Sequence, residues 1–145
     1  MRILIDANVY LSFLLNPRGH GAASRVVALI GTGRFELIFP LQTELELRRN
    51  VASKPYLRER ILEAQLDALI QAISDIAVHV DSGLPSPISS RDADDTRLLE
   101  IAFAGRADYL ISGDHDILVL APFVPRPRIV SPAEFVAEIE ADEER

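Results

Sequence analysis

Two acidic residues follow apolar segments of the sequence at the points where strands are predicted to end. Asp6 comes directly after Ile3-Leu-Ile, and Asp114 comes after the Tyr-Leu-Ile-Ser-Gly segment at 109–113. If both strands are central and parallel, their carboxyl ends meet at one edge of the sheet, where ligands bind in such proteins. Carboxylates gathered at one edge repel one another unless a cation neutralises them. The pattern therefore predicts an acidic metal site.

Three further acids lie at the start of a predicted helix: Asp92, Asp94 and Asp95. Asp95 lies three and four residues before Leu98 and Leu99, so it shares the inward-facing stripe of that helix. An acid that faces the interior needs a partner or a metal ion. Asp95 is therefore a candidate for the same site.

The available ligand types restrict the kind of metal. The chain has no cysteine and three histidines, so oxygen ligands dominate and a thiolate site is excluded. Oxygen-rich sites suit hard ions such as Mg²⁺ or Mn²⁺. These ions lower the pKa of a bound water and stabilise an in-line displacement at phosphorus. Phosphodiester hydrolysis is the chemistry that this donor set predicts.

Each acid also has a purely structural interpretation. Asp6 and Asp92 could cap the helices that follow them. Asp114 and Asp116 could form a turn, and Asn8 could stabilise the turn after the first strand through its own side chain. The residue pattern by itself leaves these alternatives open.

The predicted elements alternate between strand and helix. Strands are predicted at 2–6, 35–39, 76–80, 108–112 and 127–130. Helices are predicted at 9–15, 22–30, 40–52, from 55 onward, at 92–104, at 117–120 and from 132. Alternation of this kind predicts an α/β fold, a three-layer α/β/α sandwich around a mainly parallel sheet.

Size and composition predict one domain. The chain has 145 residues, of which 48% are hydrophobic and 26% charged, and its net charge is −7. We assign residues 1–137 to the domain and predict that the acidic segment 138–145 is a frayed tail. No membrane-spanning segment is predicted, because the apolar run at 3–15 is short and interrupted by polar residues. The absence of cysteine is compatible with the cytoplasmic location that we expect.

Four ordered motifs resemble those of PIN domains. Ile3-Leu-Ile-Asp-Ala-Asn-Val resembles the opening motif of that family. Arg91-Asp-Ala-Asp-Asp and Ala107-Asp-Tyr-Leu-Ile-Ser-Gly-Asp resemble its later acidic motifs. Ile129-Val-Ser-Pro-Ala-Glu-Phe resembles the ending of one subgroup, the toxin components of toxin–antitoxin pairs, and Phe35-Glu-Leu-Ile-Phe and Lys54-Pro-Tyr-Leu fit the middle of that subgroup.

The resemblance implies a set of site residues. PIN domains hold one or two divalent ions with three or four acids. Metal ligands are implied at Asp6, Asp95 and Asp114. Residues that support the ligands are implied at Asn8, Asp92, Ser112 and Asp116.

The family's glutamate, which lies on the helix after the second strand, has two candidates. Glu44 and Glu46 both precede a leucine. Residues two apart on a helix point in opposing directions, so only one can reach the site. The spacing to Pro40 and Lys54 favours Glu46, whereas helical periodicity through Leu41, Leu47 and Val51 favours Glu44. On spacing, we predict Glu46 as the fourth catalytic acid.

The resemblance implies a magnesium- or manganese-dependent endoribonuclease that hydrolyses RNA with a metal-activated water. It further implies a toxin that pairs with an antitoxin protein and forms a homodimer. A noncatalytic nucleic-acid- or protein-binding module on the same scaffold is the alternative. A haloacid-dehalogenase-type phosphatase is disfavoured, because it needs a second acid where Asn8 stands. A receiver domain is disfavoured, because the only lysine, Lys54, lies outside the late strands.

Overall fold

The computed structural model describes residues 1–78 and 93–144, with only the backbone described at 93 and 94. Its sheet has five strands in the order β3-β2-β1-β4-β5, and every neighbouring pair is parallel. The strands are β1 Arg2–Ile5, β2 Glu36–Ile38, β3 Ala77–Val78, β4 Tyr109–Ile111 and β5 Arg128–Val130.

Eight α-helices and one 3₁₀ turn connect or flank the strands in the described residues. The helices are α1 Ala7–Leu15, α2 Ala22–Ile30, α3 Leu41–Ser53, α4 Pro55–Arg60, α5 Glu63–Ile76, α6 Ala93–Ala104, α7 His115–Leu118 and α8 Pro132–Glu143, and the 3₁₀ turn is Ala121–Phe123. No helix of the described residues is both long and apolar enough to cross a membrane.

The sheet separates two apolar cores. Ile3 and Ile5 of β1 point into one core, which also contains buried residues of α1, α2, α3, α5 and α8. Leu4 points into the other core, which α6 and α7 cover. Successive strand residues face opposite sides of a sheet, so a strand covered on both faces is apolar throughout, as β1 is. The predicted three-layer α/β/α fold is confirmed.

The order of the strands creates a crevice beside β1. The chain places β2 and β3 on one side of β1 and then returns to place β4 on the other side. Ile5 of β1 lies opposite Ile111 of β4, so Asp6 and Ser112 leave the sheet at the same level. Crevices at such a reversal of strand order are where open parallel sheets bind ligands.

Several predicted boundaries are corrected by the structure. The helical stretch predicted from Pro55 is two helices, α4 and α5, separated at Ile61 and Leu62. Ile76 ends α5 rather than beginning the third strand. The loop predicted at 81–90 lies outside the described residues.

The prediction of a frayed acidic tail is wrong for residues 138–143. Helix α8 continues to Glu143, and Ile139 is as deeply buried as Phe135, one helical turn earlier. The acids of this segment have basic partners, since Arg128 pairs with Glu138 and Arg25 with Glu140. The apolar stripe and the facing arginines keep the end of α8 ordered. The high density of acids in this part of the sequence does not reveal these contacts.

Candidate active site

Asp6 follows the last residue of β1 and is both a helix cap and a buried acid. Its Oδ1 accepts a hydrogen bond from the backbone N–H of Ala7 at 2.8 Å, which caps α1. Its Oδ2 accepts from the Ser112 hydroxyl at 2.8 Å and from the Asn8 amide at 3.0 Å. The residue is 6% exposed. The capping and metal-site interpretations of Asp6 are thus compatible, because different oxygens face different partners.

The surroundings of Asp6 raise its pKa above the ordinary value of an aspartate. Burial is the largest cause, and the nearby charge of Asp114 acts in the same direction. Hydrogen bonds from Ser112, Ala7 and Asn8 oppose the rise in pKa because they stabilise the carboxylate. A charged Asp6 is therefore costly to bury, and a cation beside it would offset that cost.

Ser112 and Asn8 join the loop after β1 to the loop after β4. The Ser112 hydroxyl donates to Asp6 and accepts from the backbone N–H of Asp114 at 3.0 Å. The Asn8 side-chain oxygen accepts from the backbone N–H of Gly113 at 3.0 Å. A Cβ at Gly113 would lie only 3.4 Å from that oxygen. These bonds fix the separation of the two loops and hence of Asp6 from Asp114.

Asp114 caps the short helix α7. Its Oδ1 accepts a hydrogen bond from the backbone N–H of Asp116 at 3.0 Å. The side chain of Asp116 is exposed, so in this structure Asp116 contributes its backbone to the site. Asp92, the other acid predicted to support the ligands, lies outside the described residues.

Asp95 enters the site from the first turn of α6. It is 8% exposed, and Leu98 and Leu99 are buried below it, so the inward stripe predicted for this helix is confirmed. Asp95 lines the same cavity as Asp6 and Asp114. A helix on one face of the sheet thus delivers a carboxylate to the crevice between β1 and β4.

Helix α3 brings Glu46 to the cavity and turns Glu44 elsewhere. Glu46 lines the cavity with Asp6, whereas Glu44 lies 3.4 Å from Arg48. Helical periodicity favours Glu44 only if Leu41 lies on the inner face. Leu41 is instead 67% exposed.

The buried stripe of α3 is Thr43, Leu47 and Val51, at intervals of four residues. A parallel stripe of polar side chains lies three residues further along, at Glu46, Asn50 and Lys54, and lines the cavity. The rotation of α3 about its axis is therefore set by the packing of Thr43 rather than by Leu41.

One small cavity collects these side chains. Its volume is about 160 Å³ and it lies at the crevice between β1 and β4. The lining residues are Asp6, Asn8, Leu11, Glu46, Asn50, Lys54, Asp95, Leu98 and Asp114.

The donor set of the cavity fits a hard divalent ion, because its four acids and its asparagines offer oxygen ligands. As the side chains stand, no three acidic or histidine side chains in the described part of the chain converge closely enough to hold one ion. An ion would therefore need the carboxylates that line the cavity to rotate toward it. The lining residues therefore fit a divalent ion in two respects: they offer oxygen ligands, and they lie on the same cavity.

Four lining residues were not identified from the sequence: Leu11, Asn50, Lys54 and Leu98. For Asn50 and Lys54, a signal was present. They follow Glu46 by four and eight residues, the spacing that keeps side chains on one helical face. That signal becomes usable only when Glu46 itself has been placed at the site.

Comparison with known proteins gives one family and one relative. The family described as PIN domain matches residues 2–116. An uncharacterized protein of Methanocaldococcus jannaschii is 25% identical over 151 aligned positions, which cover 97% of this chain and 92% of the relative. No solved structure gives a significant match.

Proposed function

The chain belongs to the PIN domain family, whose members are generally nucleases, and from this premise we propose that it is a divalent-metal-dependent endoribonuclease. The observation that carries the proposal is the common location of Asp6, Glu46, Asp95 and Asp114 on one cavity at the crevice beside β1. Such a concentration of negative charge at a ligand-binding crevice is explained by a cation.

The proposal assigns Asp6, Asp95 and Asp114 to hold Mg²⁺ or Mn²⁺. When bound, such an ion activates a water and stabilises charge that develops on the phosphate. Ser112 and Asn8 hold Asp6 through its Oδ2, so they orient this ligand before the ion arrives. Ser112 also fixes the start of the loop that carries Asp114.

Glu46 completes the acids of the cavity from the side of α3. Asn50, one turn further on, donates a hydrogen bond at 2.8 Å to the backbone oxygen of Glu46. Within residues 1–78 and 93–144, no hydrogen bond engages the side-chain oxygen of Asn50, which can accept one from a water or a ribose hydroxyl. The side of the cavity formed by α3 thus combines an acid with groups that can contact substrate.

RNA is proposed as the substrate because the sequence resembles the toxin subgroup of the family. The antitoxin partner and the homodimer have the same basis and stay predictions. The cytoplasmic location, with which the absence of cysteine is compatible, also stays a prediction. Expression of the chain alone should arrest growth, and co-expression of its antitoxin partner should restore growth. Growth that continues during expression of the chain alone would count against the toxin role.

Substitution of the ligands tests the proposed activity. Asp6→Asn and Asp114→Asn should each reduce Mn²⁺-dependent cleavage of single-stranded RNA to background, because each removes a ligand charge while keeping the shape of the side chain. Asp75→Asn is the matched control, since Asp75 is exposed on α5 and accepts a hydrogen bond that asparagine can also accept. Circular dichroism should show all three variants folded.

EDTA should stop cleavage by the wild-type protein, and added Mn²⁺ should restore it. Cleavage that persists in EDTA, or that is equal in wild type and Asp6→Asn, would contradict the proposal. A folded wild-type chain that binds RNA and never cleaves it would instead support the noncatalytic binding module.

A further inference from the structure

We propose that Lys54 binds a backbone phosphate of the RNA that neighbours the phosphate held at the carboxylates. The inference rests on the proposed ribonuclease function and extends it to how the substrate is positioned. Among residues 1–78 and 93–144, Lys54 is the one basic side chain that lines the acidic cavity. It is also the only lysine in the chain.

The position of Lys54 follows from the geometry of α3. Glu46 and Lys54 are eight residues apart on the cavity side of this helix and its C-cap. At 1.5 Å per residue, their Cα atoms are separated by about 12 Å along the helix axis. The cavity therefore has an acidic end beside β1 and a basic end at the end of α3. A single strand that crosses the cavity would meet carboxylates at one phosphate and an ammonium group further along.

The charge of Lys54 is available to a ligand. Lys54 is exposed, and no ion pair engages it within residues 1–78 and 93–144. Arg48 on the same helix is instead held by Glu44 and Asp67. An ammonium group is a compact point charge with three rotatable donors, which suits contact with phosphate oxygens.

The overall charge gives this single cation a clear role. With a net charge of −7 and four acids in the cavity, the protein repels a polyanion at long range. One ion at the carboxylates relieves that repulsion for one phosphate only. A cation at the other end of the cavity attracts the strand there and thereby fixes its direction across the site.

A structural role for Lys54 is the competing explanation. Lys54 is the C-cap of α3, where a positive side chain interacts favourably with the helix dipole. That role predicts a lower melting temperature after substitution and no effect on RNA. The substrate role predicts an unchanged melting temperature and weaker RNA binding. Measurements of melting and of RNA binding therefore distinguish the two explanations.

Salt dependence of RNA binding tests the proposal without any chemistry. Binding of a short single-stranded RNA is measured by fluorescence anisotropy over a series of KCl concentrations, with Ca²⁺ at a fixed concentration in place of Mn²⁺ so that an ion can neutralise the carboxylates. For single strands, loss of one phosphate contact should reduce the slope of log K against log salt by about 0.7. Lys54→Met should show this reduction, and Lys54→Arg should retain the wild-type slope. Arg106→Gln is the charge-matched control, because Arg106 is exposed near the amino end of β4, at the opposite edge of the sheet.

Kinetics provide the second readout. With Mn²⁺, Lys54→Met should raise KM and leave kcat nearly unchanged, because the contact lies away from the reacting phosphate. The proposal is overturned if the slope of Lys54→Met equals that of wild type, if Arg106→Gln lowers the slope equally, or if wild type does not bind RNA. If wild type binds RNA with the expected slope change but never cleaves, the proposed activity fails and the phosphate contact stands.

Discussion

At the scale of the residue, Asp6 shows how one side chain combines a structural and a functional position. One carboxylate oxygen caps α1, and the other is held by Ser112 and Asn8. Capping stabilises a helix by about 1 kcal/mol, so the position would favour Asp without any active site. Its burial beside Asp114, which raises its pKa, goes beyond what capping requires.

The two glutamates of α3 provide a prediction at the same scale. Glu46→Gln should reduce metal-dependent RNA cleavage by at least about 10-fold, because Glu46 lines the cavity and its charge contributes to the site. Steady-state cleavage rates at saturating Mn²⁺ measure the effect.

Glu44→Gln is the matched control for Glu46→Gln. It removes a pair with Arg48 that is partly exposed, and such pairs contribute about 1 kcal/mol or less to stability. Its cleavage rate should equal that of wild type. Equal losses in both variants, or a loss only in Glu44→Gln, would reverse the assignment of the two residues.

At the scale of the element, α8 is the largest departure from prediction. Its last two turns are held by Ile139 in the core and by arginines from other elements. Glu138 accepts hydrogen bonds from Arg128 and, at 2.8 Å, from the hydroxyl of Tyr109. The helix is therefore fastened to β4 and β5 at this point.

The pairing of Glu138 predicts a pH-dependent stability. Its hydrogen bond with Arg128 lowers the pKa of Glu138 below the ordinary value. A lowered pKa in the folded state contributes stability above the unfolded-state pKa, and that contribution is lost as pH falls through the folded-state pKa. Glu138→Gln should therefore melt below wild type at neutral pH, and the difference should shrink in acid.

Thermal melts followed by circular dichroism from neutral pH to about pH 3 measure this difference, since the ordinary pKa of glutamate is about 4.3. Asp75→Asn on α5 serves as the control, because Asp75 accepts a hydrogen bond from the neutral side chain of Gln71. A difference between Glu138→Gln and wild type that stays constant over the whole range would show that the charge of Glu138 does not stabilise α8.

At the scale of the whole molecule, the site is formed where separate elements meet. β1, β4, α3 and α6 each contribute one acid at their ends or on one face. The acids come from segments that are far apart in sequence. The packing of the whole fold must therefore offset the electrostatic repulsion between them. An ion at the site would stabilise the folded chain.

Metal binding should consequently raise the melting temperature. A ligand present at 100 times its dissociation constant stabilises the folded state by about 2.7 kcal/mol. Mn²⁺ should produce an upward shift in wild type that EDTA reverses, and the shift should be much smaller in Asp6→Asn. Because the pKa of Asp6 is raised, protons compete with the ion and the shift should decrease as pH is lowered. An equal shift in wild type and Asp6→Asn would place the ion elsewhere.

The architecture and the first candidates for the site could be predicted from the sequence. The continuous apolar runs of β1 and β4 indicate strands of a parallel sheet that is covered on both faces. Such runs can be recognised in the sequence because they involve only neighbouring residues. Asp6 and Asp114 could be placed at strand ends for the same reason. The acids and the absence of cysteine predicted a hard divalent ion, whereas RNA as the substrate came from the resemblance of ordered motifs to PIN domains.

The full set of side chains that share the cavity depends on how the helices pack on the sheet. Leu41 is apolar yet exposed, so the inner face of α3 could not be derived from its periodicity, and Glu46, Asn50 and Lys54 were placed together by packing. The order of α8 depends on arginines distant in sequence. Both outcomes rest on contacts between separate elements, which a local pattern does not contain.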